Sequence, residues 1–264
     1  MINVYDPHVH IKDVILVGTG GTGAQIARSV ARLVYDMGRA RLHVPAVRFI
    51  DPDTVDEKNI GRQLFSYGDL EQNKARVLAA RFNATLGLSI SAIDQPFDAA
   101  RHVSHPRSTL LIGAVDNELA RRELARVQGA LWLDTGNHRQ AGQVILGDVG
   151  DLDLMLQHID GKDGVYTHLP NAALLFPQLL EPESPSESEQ EIRDAGLSCA
   201  GLVALGEQGL FVNDFVAAIA AQYIWRILYR QPIRTFASFV DGDTLSARSL
   251  PICRDELLPY LERQ

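Results

Sequence analysis

The sequence predicts a doubly wound α/β fold. Three observations predict it: an apolar run that breaks into closely spaced glycines and then a helical pattern, further strand-like runs alternating with helical ones, and acidic residues where two of those runs end. From Asp13 the chain reads DVILVG, then GTGGTG, then AQIARSVARLVYDMG. In the last segment Ile26, Val30, Leu33 and Val34 share one helical face, and Gly38 is expected to end the helix. A second apolar run at residues 44–50 finishes in DPDTVDEKN, and a helical pattern at about residues 70–82 follows. Further strands are expected at residues 88–93, 109–115, 130–134 and 142–147, with a helix at about 117–128. Strands separated by helices imply a mostly parallel sheet with helices on both faces, the Rossmann-like arrangement.

Beyond Gly150 the pattern degrades, and the acidic, Pro- and Ser-rich EPESPSESEQE at residues 181–191 reads as a mobile surface loop. Residues 150–208 are therefore expected to hold a crossover region within one domain spanning residues 1–264. A helix at about residues 212–229 follows, with Phe215, Ile219, Ala220, Tyr223 and Ile227 at near-helical spacing. Its apolar surface is broader than one stripe, because Ala217, Ala218, Ala220 and Ala221 adjoin Tyr223 and Trp225. Such breadth implies burial on more than one side, in a large core or at a subunit interface. FASFV, DGDT and LSARSL read as a C-terminal β-hairpin, and a short helix ends the chain.

Composition narrows the function classes. With 46% hydrophobic and 22% charged residues the 264-residue chain is globular rather than disordered. A net charge of −8 argues against a general nucleic-acid binder, which needs clustered cations. No apolar run reaches membrane-spanning length, so no membrane partner is expected. Neither a signal peptide nor a transit peptide is indicated, and the expected address is the cytoplasm. Two cysteines, Cys199 and Cys253, are too few for a cysteine-rich zinc site, so no structural zinc is expected.

Gly18, Gly20 and Gly23 satisfy G-x-G-x-x-G between a strand and a helix, with Gly21 in the same loop. Backbone N–H groups and a helix N-terminus there can meet a phosphate closely. Asp51, ending the second strand, stands where a carboxylate accepts hydrogen bonds from ribose hydroxyls. A nicotinamide dehydrogenase would satisfy the glycines but leaves Asn59, Arg62, Gln63 and Lys74 without a purpose. Attack of a carboxylate on the α-phosphate of ATP does need such groups, because two anions approach and charge grows on the phosphates. Arg62 offers a planar fork, Lys74 a compact charge, and Asp116 a carboxylate for Mg²⁺.

At these residues the chain resembles the ThiF/MoeB superfamily, which includes the ubiquitin-activating enzymes. GTGGTG, DPDTVDEKNIGRQ, EQNKA, VDNELARREL and GQVILG occur in family order from Val14 to about Gly147. The resemblance implies ATP-dependent adenylylation of the C-terminal glycine of a small ubiquitin-like protein, by a homodimer with one nucleotide site per subunit. By position it implies that Asp51 binds the ribose, that Asn59, Arg62 and Lys74 handle the phosphates, and that Asp116 serves the magnesium. The segment from LSCAG to WRILY is similar to the ThiF-like proteins of the plasmid-associated PRTRC system, which implies a neighbouring ubiquitin-like protein as substrate.

The chain departs from the family in lacking an arginine before Arg28, where relatives place one that reaches the partner's site. Lys12, a residue elsewhere or another partner is expected to replace it. Paired C-x-x-C motifs are absent as well. Gly61 stands where a bulkier polar residue is usual. Cys199 has two readings, a thiol that attacks the acyl adenylate to form a thioester and a small packing residue. Cys253 reads as structural. His8 and His10 read as solvated or packed, His102 and His105 as surface residues, and His138 as a loop residue or part of the substrate groove. Two other function classes stay open: a partner-binding protein that keeps the nucleotide fold with weak catalysis, and a dehydrogenase. Pyrophosphate exchange into ATP that depends on a Gly-ending small protein separates them from the enzyme.

Overall fold

The computed structural model describes residues 3–138, 140–182 and 211–262. The amino terminus contributes a short strand β1 (Val4–Tyr5). β2 (Asp13–Val17) is then apolar on both faces, with Val14 and Leu16 fully buried, as a central parallel strand must be. α1 (Gly21–Arg39) follows directly and buries Ala24, Ile26, Ala27 and Val30 against the sheet. It runs through Gly38 and ends one residue later, at Arg39. The left-handed residue is Arg41 (φ 57°), and the amides of Arg41 and Leu42 close on the carbonyls of Gly38 and Met37, a Schellman ending.

β3 (Ala46–Ile50) pairs with β2 in parallel, and α2 (Lys74–Leu86) returns from it. The helix begins at Lys74 rather than near residue 70, because the Asn73 side chain accepts from the Arg76 amide as an N-cap. It ends at Gly87 in the left-handed conformation. β4 (Ser91–Ile93) is shorter than expected, and α3 (Ala99–His102) carries the chain towards β5 (Thr109–Gly113). α4 (Glu118–Ala125), capped by the Asn117 side chain, leads to β6 (Leu131–His138), which runs well past the expected residue 134 to pair antiparallel with β7 (Ala141–Gly147).

Residues 150–182 of the expected crossover hold α5 (Leu152–Gln157), β8 (Val165–Tyr166), which pairs with β1, and α6 (Ala172–Leu175). The acidic stretch from residue 183 onward and Cys199 lie outside the described residues. α7 (Val212–Leu228) packs on α1 and on β6, β7 and β9 (Thr235–Asp241). Ala217, Ala220, Tyr223 and Ile227 are thereby buried, whereas Ala218 is exposed and Ala221 and Trp225 are half-buried. β10 (Ser246–Pro251) completes the hairpin with β9, and α8 (Arg254–Leu261) follows.

The main sheet among the described residues has the order β10-β9-β7-β6-β5-β2-β3-β4, parallel from β6 to β4 and antiparallel beyond β6. The chain winds outward from β2 to β4, then returns to β5 on the other side of β2. Right-handed crossovers running in opposite directions place α1 and α4 on opposite faces. The strand ends of β2 and β5 therefore part at a topological switch point, where a doubly wound sheet opens its ligand crevice. No helix among the described residues is long and apolar enough to cross a membrane.

Candidate functional site

A cleft of about 980 Å³ opens at that switch point, lined by the glycine loop, the β3–α2 connection, the ends of β5 and β6, and the start of α7. The glycines divide the work. Gly18 has φ +85°, and a Cβ there would stand 2.4 Å from the Ala114 carbonyl oxygen, so the tight turn admits only glycine. A Cβ on Gly23 would stand 2.0 Å from the Gly18 carbonyl oxygen, so this position lets α1 close on the strand end. Gly20 faces open space, its nearest neighbour being Gln63 Nε2 at 3.9 Å from an added Cβ. The first turn of α1 holds no acidic residue and no side-chain cap, which leaves its N–H groups to an anion.

Asp51 braces this loop. Its Oδ2 accepts from Thr19 N at 2.6 Å and Thr19 Oγ1 at 2.9 Å, and its Oδ1 accepts from Asp53 N at 2.9 Å. It lines the cleft while almost wholly buried. Lys74, only 8% exposed at the first position of α2, extends its ammonium into the cleft and pairs with Asp53 Oδ2 at 3.0 Å. Arg62 and Gln63 line the same wall. Asn59 does not; it is buried behind, where its Oδ1 accepts from Asp56 N at 3.0 Å and its carbonyl from Gln63 N at 3.0 Å. Asn59 thus folds the turn that presents Arg62 and Gln63. Gly61 within that turn has φ +79° with nothing within 4 Å, so a left-handed backbone accounts for glycine there.

On the facing wall Asp116 is exposed just past β5, with Asn117 Nδ2 at 3.5 Å from its Oδ1. Pro96, Phe97 and Leu119 give the far end of the cleft an apolar lining, and Arg101, Arg121 and Arg126 add cations that the sequence did not single out. Lys12 is exposed at the start of β2, the opposite edge of the sheet. Five strand residues, about 17 Å, separate it from its own glycine loop. It does not serve the cleft of its own chain.

Beneath this wall sits a second buried acid. Asp134 on β6 is fully buried, its Oδ1 3.7 Å from Arg121 Nε, and neither carboxylate oxygen has a hydrogen-bond partner among the described residues. Burial pushes the Asp134 carboxyl up to about 7, with the Arg121 guanidinium opposing. Between about pH 4 and 7 the folded chain therefore holds a proton that the unfolded chain releases. The associated stability is present below about pH 4 and is lost as pH rises through 7. At about 1.4 kcal/mol per pH unit the ceiling is about 4 kcal/mol. Asp134→Asn is expected to remove this dependence, so that its melting temperature rises relative to wild type from pH 5 to pH 8. Parallel melting curves across that range would reject the assignment.

The third wall joins elements distant in sequence. Asn213 on the first turn of α7, Asn137 on β6 and Thr22 on α1 meet beside Gly21. Asn137 Nδ2 donates to Thr22 Oγ1 at 3.0 Å and to Asn213 Oδ1, and Thr22 Oγ1 donates to Asn213 Oδ1 at 2.9 Å. None of the three was expected from sequence, since each lies in an ordinary context.

Other expectations sort differently. His102 is buried rather than at the surface, because its Nδ1 accepts from Asp98 N at 3.0 Å and its ring packs on Phe97; burial lowers its pKa. His105 is exposed, and His8 is exposed beside Asp6. His10 stacks on His43. Residues 6–10 are not strand. Cys253 is a half-buried free thiol whose carbonyl starts α8. The His138 side chain and Arg139 lie outside the described residues, as does Cys199.

Solved structures share this architecture. Escherichia coli MccB with ATP superposes at a TM-score of 0.56 and 15% identity, over 92% of this chain and 64% of that one. Escherichia coli MccB with MccA-N7isoASN gives 0.57 and 17% over the same shares, and the microcin C7 biosynthetic enzyme MccB with N-formylated MccA gives 0.56 and 15% over 92% and 65%. This chain thus spans less than two thirds of those proteins' length. No curated protein matches it in sequence. The ThiF family model matches residues 8–232, which covers the glycine loop, both cationic and acidic walls and α7, and the chain belongs to the ThiF family.

Proposed function

We propose that this chain activates a carboxyl group by adenylylation, and that its substrate is the C-terminal glycine of a small ubiquitin-like protein. The observation that supports this most is the meeting of a phosphate-accepting glycine loop with Lys74 and Arg62 on one wall and Asp116 on the other. Hydride transfer has no use for cations so placed. A substrate carboxylate oxygen forms a bond to the α-phosphorus of ATP as the bond from that phosphorus to pyrophosphate breaks, and pyrophosphate leaves with the electron pair. Lys74 and Arg62 offset charge on the departing phosphates, Asp51 keeps the loop in shape, and Asn59 sets the turn that aims Arg62. Phe97 and Leu119 supply an apolar seat for the base. MccB has been solved with ATP and with MccA, which supports a nucleotide and a second substrate as the ligands of this cleft.

Magnesium fits the donor set. Among the described residues no cluster of three His, Cys, Asp or Glu could hold a metal alone. A single exposed carboxylate at Asp116 suits an ion that keeps waters and takes its remaining oxygens from phosphates, and such an ion would draw charge from them. Asp116→Ala is expected to raise the Mg²⁺ concentration for half-maximal exchange by about tenfold, the loss of one ligand worth about 1.4 kcal/mol. An unchanged Mg²⁺ dependence would remove Asp116 from the metal site.

Pyrophosphate exchange into ATP, stimulated by a small protein ending in glycine, tests the whole reading; tight NAD binding without ATP binding would reject it. Homodimer formation belongs to the same proposal, and a monomer mass by light scattering at micromolar concentration would count against it. Cys199 is the proposed thioester thiol. A reductant-sensitive conjugate that persists in Cys199→Ala removes it from that role.

A further inference from the structure

We infer that Asn213 holds the C-terminal residue of the acyl substrate, through the N–H₂ of its carboxamide; the inference rests on the adenylylation reading. Asn213 is 94% buried, being 6% exposed, yet it lines the cleft beside Asn137. The hydrogen-bond directions leave one arrangement. Asn137 Nδ2 can only donate, so Thr22 Oγ1 accepts from it and turns its own hydrogen to Asn213. The Asn213 oxygen therefore takes two donors, and its nitrogen keeps two N–H groups with no partner among the described residues. The side chain lines the cleft, so a ligand acceptor there can meet these donors.

The position of Asn213 selects the ligand. Its carboxamide lies over Gly21, where an added Cβ would stand 2.6 Å from Nδ2, so the side chain is held flat against the first turn of α1. Lys74 and Arg62 occupy the other wall, suited to the highly charged phosphates. On this wall the side chains of Asn213 and Asn137 are neutral, and the Arg121 guanidinium lies by Gly136, where an added Cβ would stand 3.2 Å from Nη2. Adenylylation converts a carboxylate oxygen to the neutral carbonyl of a mixed anhydride. A cation would bind the carboxylate more strongly than the product and so deepen the ground state, whereas a neutral amide donor serves both. The two N–H groups diverge in the amide plane, so one can donate to that oxygen and the other to the preceding peptide carbonyl.

The test compares 5′-O-sulfamoyladenosine with its N-acetylglycyl derivative, an unreactive mimic of a peptidyl-glycyl adenylate, and with ATP. The three differ in whether they carry the acyl arm or the outer phosphates. Titration calorimetry is expected to show Asn213→Ala weakening the acyl derivative by about tenfold while sulfamoyladenosine and ATP change by less than about twofold. Asn213→Leu, of similar size, removes the N–H₂ without adding a charge beside the glycine loop and is expected to lose the acyl-arm preference as well. Equal weakening of all three ligands in both variants, or no weakening of any, overturns the assignment. Wild type that binds none of them overturns the adenylylation reading and this inference with it. Wild type that binds ATP but gains nothing from the acyl arm overturns this inference alone.

Discussion

Lys74→Met is expected to lower pyrophosphate exchange by at least about 10²-fold, the usual scale for removing one charged stabiliser from a phosphoryl-transfer site. Its melting temperature is expected to stay within about 3 °C of wild type, a shift of about 1 kcal/mol for a chain of this size. The separation of activity from stability follows from unequal burial across one ion pair. Lys74 is the buried partner, whereas the Asp53 side chain, 3.0 Å away, is 64% exposed. Removing the ammonium leaves a carboxylate already in water, so no charge is stranded. Methionine keeps the apolar volume of the lysine stem. Asp53→Asn makes the opposite change, keeping the cleft's positive charge, and is expected to reduce exchange by less than about tenfold. Stopped exchange assays with labelled pyrophosphate check both variants. Exchange in Lys74→Met within threefold of wild type would transfer the phosphate role to other cations of the cleft.

The half of this site that was legible in sequence is the half built locally. Gly18, Gly20, Gly21 and Gly23 lie on one six-residue loop, and Asp51, Arg62, Gln63 and Lys74 on one strand-to-helix connection, so their spacing alone brings them to one strand edge. Asn59 shares that connection but turns inward, because Asp56 N needs an acceptor when the loop closes. Boundaries failed where a particular hydrogen bond outweighed periodicity: Asn73 caps α2 four residues late, and Arg41 takes the left-handed ending expected of Gly38. The wall of Thr22, Asn137 and Asn213 had no local signature. Thr22 and Asn213 are 191 residues apart, and only the packing of α7 on α1 makes them neighbours. Arg121 and Asp134 are similarly invisible, since a helix arginine and a strand aspartate normally face water. Composition also left the breadth of α7 ambiguous; the sheet and α1 bury Ala217, Ala220 and Tyr223 but not Ala218.

Gly23→Ala and Gly20→Ala are expected to fail in opposite ways, although both replace a glycine of the same motif. At Gly23 the new methyl would meet Gly18 O at 2.0 Å, Gly18 C at 2.8 Å and Ala114 Cβ at 3.3 Å. Two of these are backbone atoms, and Gly18 is already committed to φ +85° by its own approach to Ala114. No rotamer change relieves the overlap. α1 must move off the strand end, disturbing Ala24, Ile26 and Ala27, which have no exposed surface. Overpacking of this kind costs about 3 kcal/mol, or a melting-temperature loss of about 6–12 °C at this chain length, and exchange should fall with it as the cleft opens. At Gly20 an added methyl meets only Gln63 Nε2 at 3.9 Å. Stability should change by less than about 1 kcal/mol. The methyl instead occupies the space through which phosphate oxygens reach the α1 amides, and ATP affinity should fall by about tenfold or more, one lost charge-assisted hydrogen bond. Melting curves and ATP titrations on both variants decide the matter. Equal melting temperatures would show that α1 does not close on Gly18 through Gly23, and unaltered ATP affinity in Gly20→Ala would place the phosphates elsewhere in the cleft.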